Sequence, residues 1–188
     1  MATTTTAELE QTVAGLRGQR LTGVTYYTLP VLIDDDTYQP EEWDYGDWHE
    51  PCMGVELATD TGQLYSAIWN SSFTQYHLEI FTRPISEFIR IAEDGPAPAP
   101  MATHPRWAPL IGEPISHADL CWFRDFDPGL HVPAAVRMTV GAHTIWIASG
   151  RSEPAGTPSF YNLTDDIMVV FTADIAQRKG IPEPMTCP

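Results

Sequence analysis

Eight short segments in which Val, Ile, Thr, Tyr and Trp alternate with other residues constrain this chain most, because a period of two is the pattern of a half-buried β-strand. They fall at about 20–27, 53–60, 63–70 and 76–82, and again at about 114–123, 133–140, 143–149 and 166–172. The two sets run in parallel. "LRGQRLTGVTYY" (16–27) reads like "LIGEPISHADLCW" (110–122), and "MGVELATDTGQLYSAIWN" (53–70) reads like "AAVRMTVGAHTIWIASG" (134–150). "LEIFTRPI" (78–85) reads like "MVVFTADI" (168–175), with Phe81-Thr82 against Phe171-Thr172. We read three matches in one order as an internal duplication.

Each unit is then an antiparallel meander of four strands. Such a meander cannot bury a face alone. The expected fold is therefore mainly β, with the two units forming one barrel-like or sandwich body. Short helices complete it. Thr5 and Glu8 have capping-box spacing ahead of Leu9, Val13 and Leu16, with Gly18 as the stop. Pro84 suits a first helical turn after the first unit, and Thr172 with Gly180 brackets a helix after the second. The organisation expected is 1–94 (helix plus first unit), a Pro-rich exposed linker at 95–109, and 110–188 (second unit), all within one compact domain.

Charge narrows the partners. The net charge is −15, and no Lys or Arg occurs between Arg20 and Arg83, where 11 acids lie. Phosphates need the opposite sign, so a nucleic-acid partner is not expected, and neither is an anionic membrane. A basic protein, or a small neutral or cationic ligand, fits. The N-terminal "MATTTTAELE" lacks the basic and apolar regions of a secretory signal, and the three cysteines have no paired spacing. Reduced thiols and a cytoplasmic location are expected.

The differences between the units point to the site. About 25 residues separate the first two strands of unit one, against about 9 in unit two, so "IDDDTYQPEEWDYGDWHE" (33–50) is largely an insertion. A second insertion, "GRSEPAGTPSFYNLTDD" (150–166), joins the last two strands of unit two. Loops of this length on a rigid scaffold are where function concentrates. Each extends the same end of its own meander. If those ends meet, Asp34, Asp35, Asp36, Glu41, Glu42, Trp43, Asp44, Tyr45, Asp47 and Trp48 face Arg151 and Tyr161.

Motif chemistry is thin. The EF-hand alternation fails, H-E-x-x-H is absent because Pro51 follows His49-Glu50, and no two histidines have i, i+4 spacing. No metal site or cofactor is expected from spacing. There is no G-x-S-x-G elbow, and Cys121 beside Trp122 reads as a buried apolar residue. The leading expectation is a non-catalytic acidic binding protein, of the inhibitor or immunity-protein kind, that grips a basic protein through 34–50. Carboxylates would steer the encounter, with Trp43, Tyr45 and Trp48 as anchors. The alternative is a small enzyme of cyclase or isomerase type, or a ligand carrier. It would place an acid–base pair drawn from His49, Glu50, Asp165 and Asp166 at the barrel end, with Arg151 as an anion clamp.

Overall fold

In a computed structural model the described residues are 5–34, 37–71, 76–90, 95–124, 131–152 and 161–184. Their strands are β1 (Leu21–Thr28), β2 (Pro30–Asp34), β3 (Thr37–Pro40), β4 (Trp48–Cys52), β5 (Gly54–Thr59), β6 (Leu64–Asn70), β7 (His77–Phe81), β8 (Ala97–Pro100), β9 (Ile115–Arg124), β10 (His131–Val140), β11 (His143–Arg151) and β12 (Tyr161–Val170). Two five-stranded sheets result, ordered β7-β6-β5-β1-β8 and β4-β12-β11-β10-β9, with β2 and β3 paired as a separate hairpin. Every pairing between these strands is antiparallel. All eight expected strands are present, in two four-stranded meanders.

The body is a sandwich, not a closed barrel. At one corner the two sheets do touch edge to edge: Gly18 N–H donates to Ile115 O and Ile115 N–H to Gln19 O, both at 2.8 Å. Further along the same edge of β1, Thr25–Thr28 pair with β8 instead. The segment expected to be an exposed linker thus occupies the edge that closure would have required. Only Ala97–Pro100 of it is extended, the stretch after Met101 running in turns into a short helical turn at Ala108–Leu110, and it is not a solvated spacer, since Trp107 is fully buried and Met101 nearly so.

Period-two alternation sorts the side chains. Val24, Tyr26, Val55, Leu57, Leu78 and Ile80 of the first sheet meet Leu120, Val136, Met138, Ile147, Ile167 and Val169 of the second in one core. Their sequence neighbours point outward. Trp146, Met168 and Val170 are covered by Ile175 and Ala176 of α2 (Ala173–Arg178), and Tyr27 and Ile68 by the short helical turn Ile85–Glu87. Burial of each large apolar side chain stabilises by about 1.5–3 kcal/mol. Thr172 caps α2 as expected, its hydroxyl accepting from Ile175 N–H.

At the N-terminus α1 (Thr6–Ala14) carries the expected capping box and sends Leu9 and Val13 into the core. It ends at Gly15, three residues before the expected stop. Gly18 takes φ +84 in the following turn instead. There Arg17 donates to Ala118 O at 2.8 Å, which covers the free edge of β9. No helix among the described residues is long and apolar enough to cross a membrane.

Candidate functional site

The acidic insertion does not hang as a loop. After the β2–β3 hairpin, residues 43–50 fold back on themselves. Tyr45 N–H donates to Trp48 O (3.0 Å) and Glu50 N–H to Trp43 O (2.8 Å), around Gly46 at φ +79. The outgoing arm is β4, which leaves its own unit and pairs with β12, setting Val169 opposite His49 and Ile167 opposite Cys52. The chain then returns to the first sheet through Cys52, at φ 59, and Gly54. A methyl on Gly54 would sit 2.5 Å from Ile85 Cδ1 and 2.9 Å from Ala67 O, so only glycine lets β5 start so close.

The two insertions therefore meet. Ser152 N–H, in the second, donates to Glu50 Oε1 in the first at 3.0 Å. Because successive side chains of β4 point to opposite faces, His49 and Glu50 enter different environments. Of the candidate acid–base residues His49, Glu50, Asp165 and Asp166, these two neighbours therefore lie on opposite faces of β4.

On the inner face, His49 is fully buried beside Tyr26, also fully buried. Trp107 Nε1–H donates to Tyr26 Oη (2.6 Å), and Tyr26 Oη lies 2.8 Å from His49 Nδ1. Burial pushes the phenol well above its usual value, so it keeps its proton and donates it to Nδ1. Burial also pulls His49 down to about 4, with Asp44 opposing and His104 and Arg106 reinforcing. The ring is neutral at physiological pH. Its Nε2 has no hydrogen-bond partner, although Asp44 Oδ1 lies 3.3 Å away.

Asp44 sits between two imidazoles. Its Oδ2 lies 3.1 Å from His104 Nε2, and Gly46 N–H donates to its Oδ1 at 2.8 Å. Partial burial would raise this carboxyl, but Gly46, His104 and His49 outweigh that and hold it below its usual value. Arg106 closes the cluster by donating to Gly46 O (2.8 Å) and pairing with Asp47. Trp43 and Phe171 wall it, with ring centroids 5.1 and 4.7 Å from that of His49. The donor atoms of Asp44, His49 and His104 all lie within 4.8 Å of one another.

The outer face holds a closed network. Glu50 Oε1 accepts from Trp48 Nε1–H (2.9 Å) as well as from Ser152, and the buried Lys179 ammonium lies 4.0 Å away. That ammonium also donates to Ser152 Oγ and lies 4.3 Å from the Trp48 ring centroid. Burial pulls Lys179 down to about 8, against the pull of Glu50.

At the rim beside it, Cys52 Sγ–H donates to Glu41 Oε2 (3.2 Å). Arg151 approaches Asp166 at 3.6 Å. Burial, then Asp165 and Glu41, raise Asp166 to about 6 in spite of Arg151.

The sequence-derived residues thus separate into groups. Trp48 and Glu50 are buried and Trp43 half-buried, so none of the three is displayed. Tyr45 stacks on Trp48, centroids 5.5 Å apart. Asp44 and Asp47 turn to basic partners within the chain. Glu41, Asp165 and Asp166 gather near Arg151 at the rim, while Glu42 lies beside Tyr45. Asp35, Asp36 and the side chains of Asp34 and Tyr161 lie outside the described residues. Sequence reasoning missed His104, Arg106 and Trp107, all in the presumed linker. Their signal was an aromatic, a cation and an imidazole in a stretch otherwise rich in Pro and Ala.

In comparisons with known proteins, no family model, curated protein or solved structure matched the chain.

Proposed function

We propose that this is a non-catalytic acidic binding protein that engages a basic protein partner at the end of the sandwich where its two insertions meet. The internal duplication is part of the same reading: two like meanders supply the scaffold, and unlike insertions supply the grip. A partner of the kind an inhibitor or immunity protein neutralises, a cationic enzyme, suits the net charge of −15.

One observation carries the reading. Asp166 is buried 3.6 Å from Arg151, and burial first, then Asp165 and Glu41, raise its carboxyl to about 6 against that cation. Like charges crowded at a surface cost stability, and an incoming cation relieves that cost. Asp165 stands exposed beside it, and Glu42 is exposed next to Glu41 in the first insertion. The grip is therefore assigned to Glu41, Glu42, Asp165 and Asp166, and not to Asp44, Asp47 and the aromatics, which the hairpin uses internally.

The test is association with a basic protein partner recovered from host lysate, measured at low and high salt. Glu41→Lys, Glu42→Lys and Asp165→Lys should slow association far more at low salt, because steering between exposed charges is screened. A salt-independent effect, or none, would refute the proposal.

A further inference from the structure

We propose that Asp44, His49 and His104 bind a divalent transition-metal ion of the zinc class, through the two imidazole nitrogens facing the carboxylate and one carboxylate oxygen. The inference rests on residues apart from the acidic rim, and stands or falls separately from the binding reading above.

Geometry is the first argument. Asp44 oxygens lie 3.3 Å from His49 Nε2 and 3.1 Å from His104 Nε2. A tetrahedral ion with bonds of about 2.0–2.2 Å holds its ligand atoms about 3.3–3.6 Å apart. Those two approaches use different oxygens of Asp44, Oδ1 toward His49 and Oδ2 toward His104, and one donor atom from each of the three residues lies within 4.8 Å of the others, so a small contraction brings one oxygen and both nitrogens to tetrahedral spacing.

The second argument is independent of the first. His49 Nε2 is buried with no hydrogen bond, in a side chain with no exposed surface, and it aims into the cluster. An orphaned buried polar atom calls for an occupant.

The donor set selects the ion. Two imidazoles and one carboxylate suit zinc and its neighbours, whereas magnesium and calcium favour oxygen throughout. Three protein ligands leave a fourth position. Asp44 is 44% exposed in its side chain, so that position opens toward solvent. Supporting contacts are in place as well, since Trp107 anchors Tyr26 against the His49 ring and Gly46 N–H orients Asp44.

Binding shifts each ring proton from Nε2 to Nδ1. His49 then donates to Tyr26 Oη, and His104 gives up the long contact from Arg106 N–H, 3.3 Å. Two protons leave nitrogen and two return, so the histidines release none overall.

The experiment uses the full chain, stripped by chelator and titrated with Zn²⁺ by calorimetry, with Co²⁺ absorption as a readout of coordination. The expected result is one ion per chain, bound in the presence of excess Mg²⁺, with a tetrahedral Co²⁺ spectrum. His104→Ala and Asp44→Asn, both at partly exposed positions, should each lower affinity by more than about 10-fold, and Tyr26→Phe by about 10-fold. Failure to saturate at one equivalent would overturn the proposal. So would unchanged affinity in both His104→Ala and Asp44→Asn, which would assign the ion to surface carboxylates.

Discussion

The two faces of β4 carry two polar clusters built on adjacent residues, and they are finished differently. On the outer face, Glu50 accepts from Trp48 and Ser152 and lies beside Lys179, under the cover of α2. On the inner face, His49 is held from behind by Tyr26 and Trp107, yet its forward nitrogen meets no hydrogen-bond partner and looks toward a half-exposed Asp44. A buried polar network with its partners in place fixes a structure. One left open at a single atom near solvent is a place for something to bind. Adjacency along the chain decides nothing here, because one residue of offset in a strand exchanges one face for the other.

The largest effect that separates the two should come from Glu50→Ala. Two donors and a buried ammonium would lose their acceptor, so urea denaturation should show a loss of about 3–5 kcal/mol. A loss below about 1 kcal/mol would mean that the outer network does not pin the two insertions together. Tyr26→Phe, on the inner face, should cost about 1–3 kcal/mol in the same assay, since Trp107 Nε1–H and His49 both lose their partner in a buried setting.

Asp166→Asn should work in the opposite direction. A carboxyl raised to about 6 in the folded chain, from 3.8 unfolded, destabilises the fold when ionised. The penalty is absent below about pH 4, sets in between the two values, and is complete above about pH 6. With allowance for solvent screening, the variant should gain about 1–2 kcal/mol at pH 7.5 and nothing at pH 3.5, read as paired denaturation curves. An equal gain at both values would take the carboxylate's charge out of the account. The smallest effect should be that of His104→Ala on stability, under about 1 kcal/mol by thermal melting, because its contact with Asp44 is partly exposed. A larger loss would make the open cluster structural like its neighbour.

Much of the scaffold was legible in advance. Alternating Val, Thr, Tyr and Trp located all eight meander strands, and Thr5 with Glu8 and Thr172 located two helix starts. These features are local: side chains two or three residues apart report them. Less of the candidate site was legible. Asp44 and His49 stood out within an acidic, aromatic stretch, but the composition suggested display, whereas backbone pairing with β12 draws Trp48 and Glu50 inward. His104 lies 60 residues from Asp44, and no periodicity joins them. A stretch dense in Pro and Ala read as a spacer because Pro disfavours regular ladders, yet at the edge of β1 the pairing with Pro98 and Pro100 is accommodated.

The sequence by itself determined a mainly β chain of two meanders with capped helices and an acidic insertion, since strand period, turn glycines and caps are properties of neighbouring residues. Tertiary structure alone decided that β4 would cross to the other sheet, that β8 would take the edge a barrel needed, and that Asp44, His49 and His104 would converge. Those outcomes depend on which buried faces and free edges find one another in space, and sequence separation does not encode that.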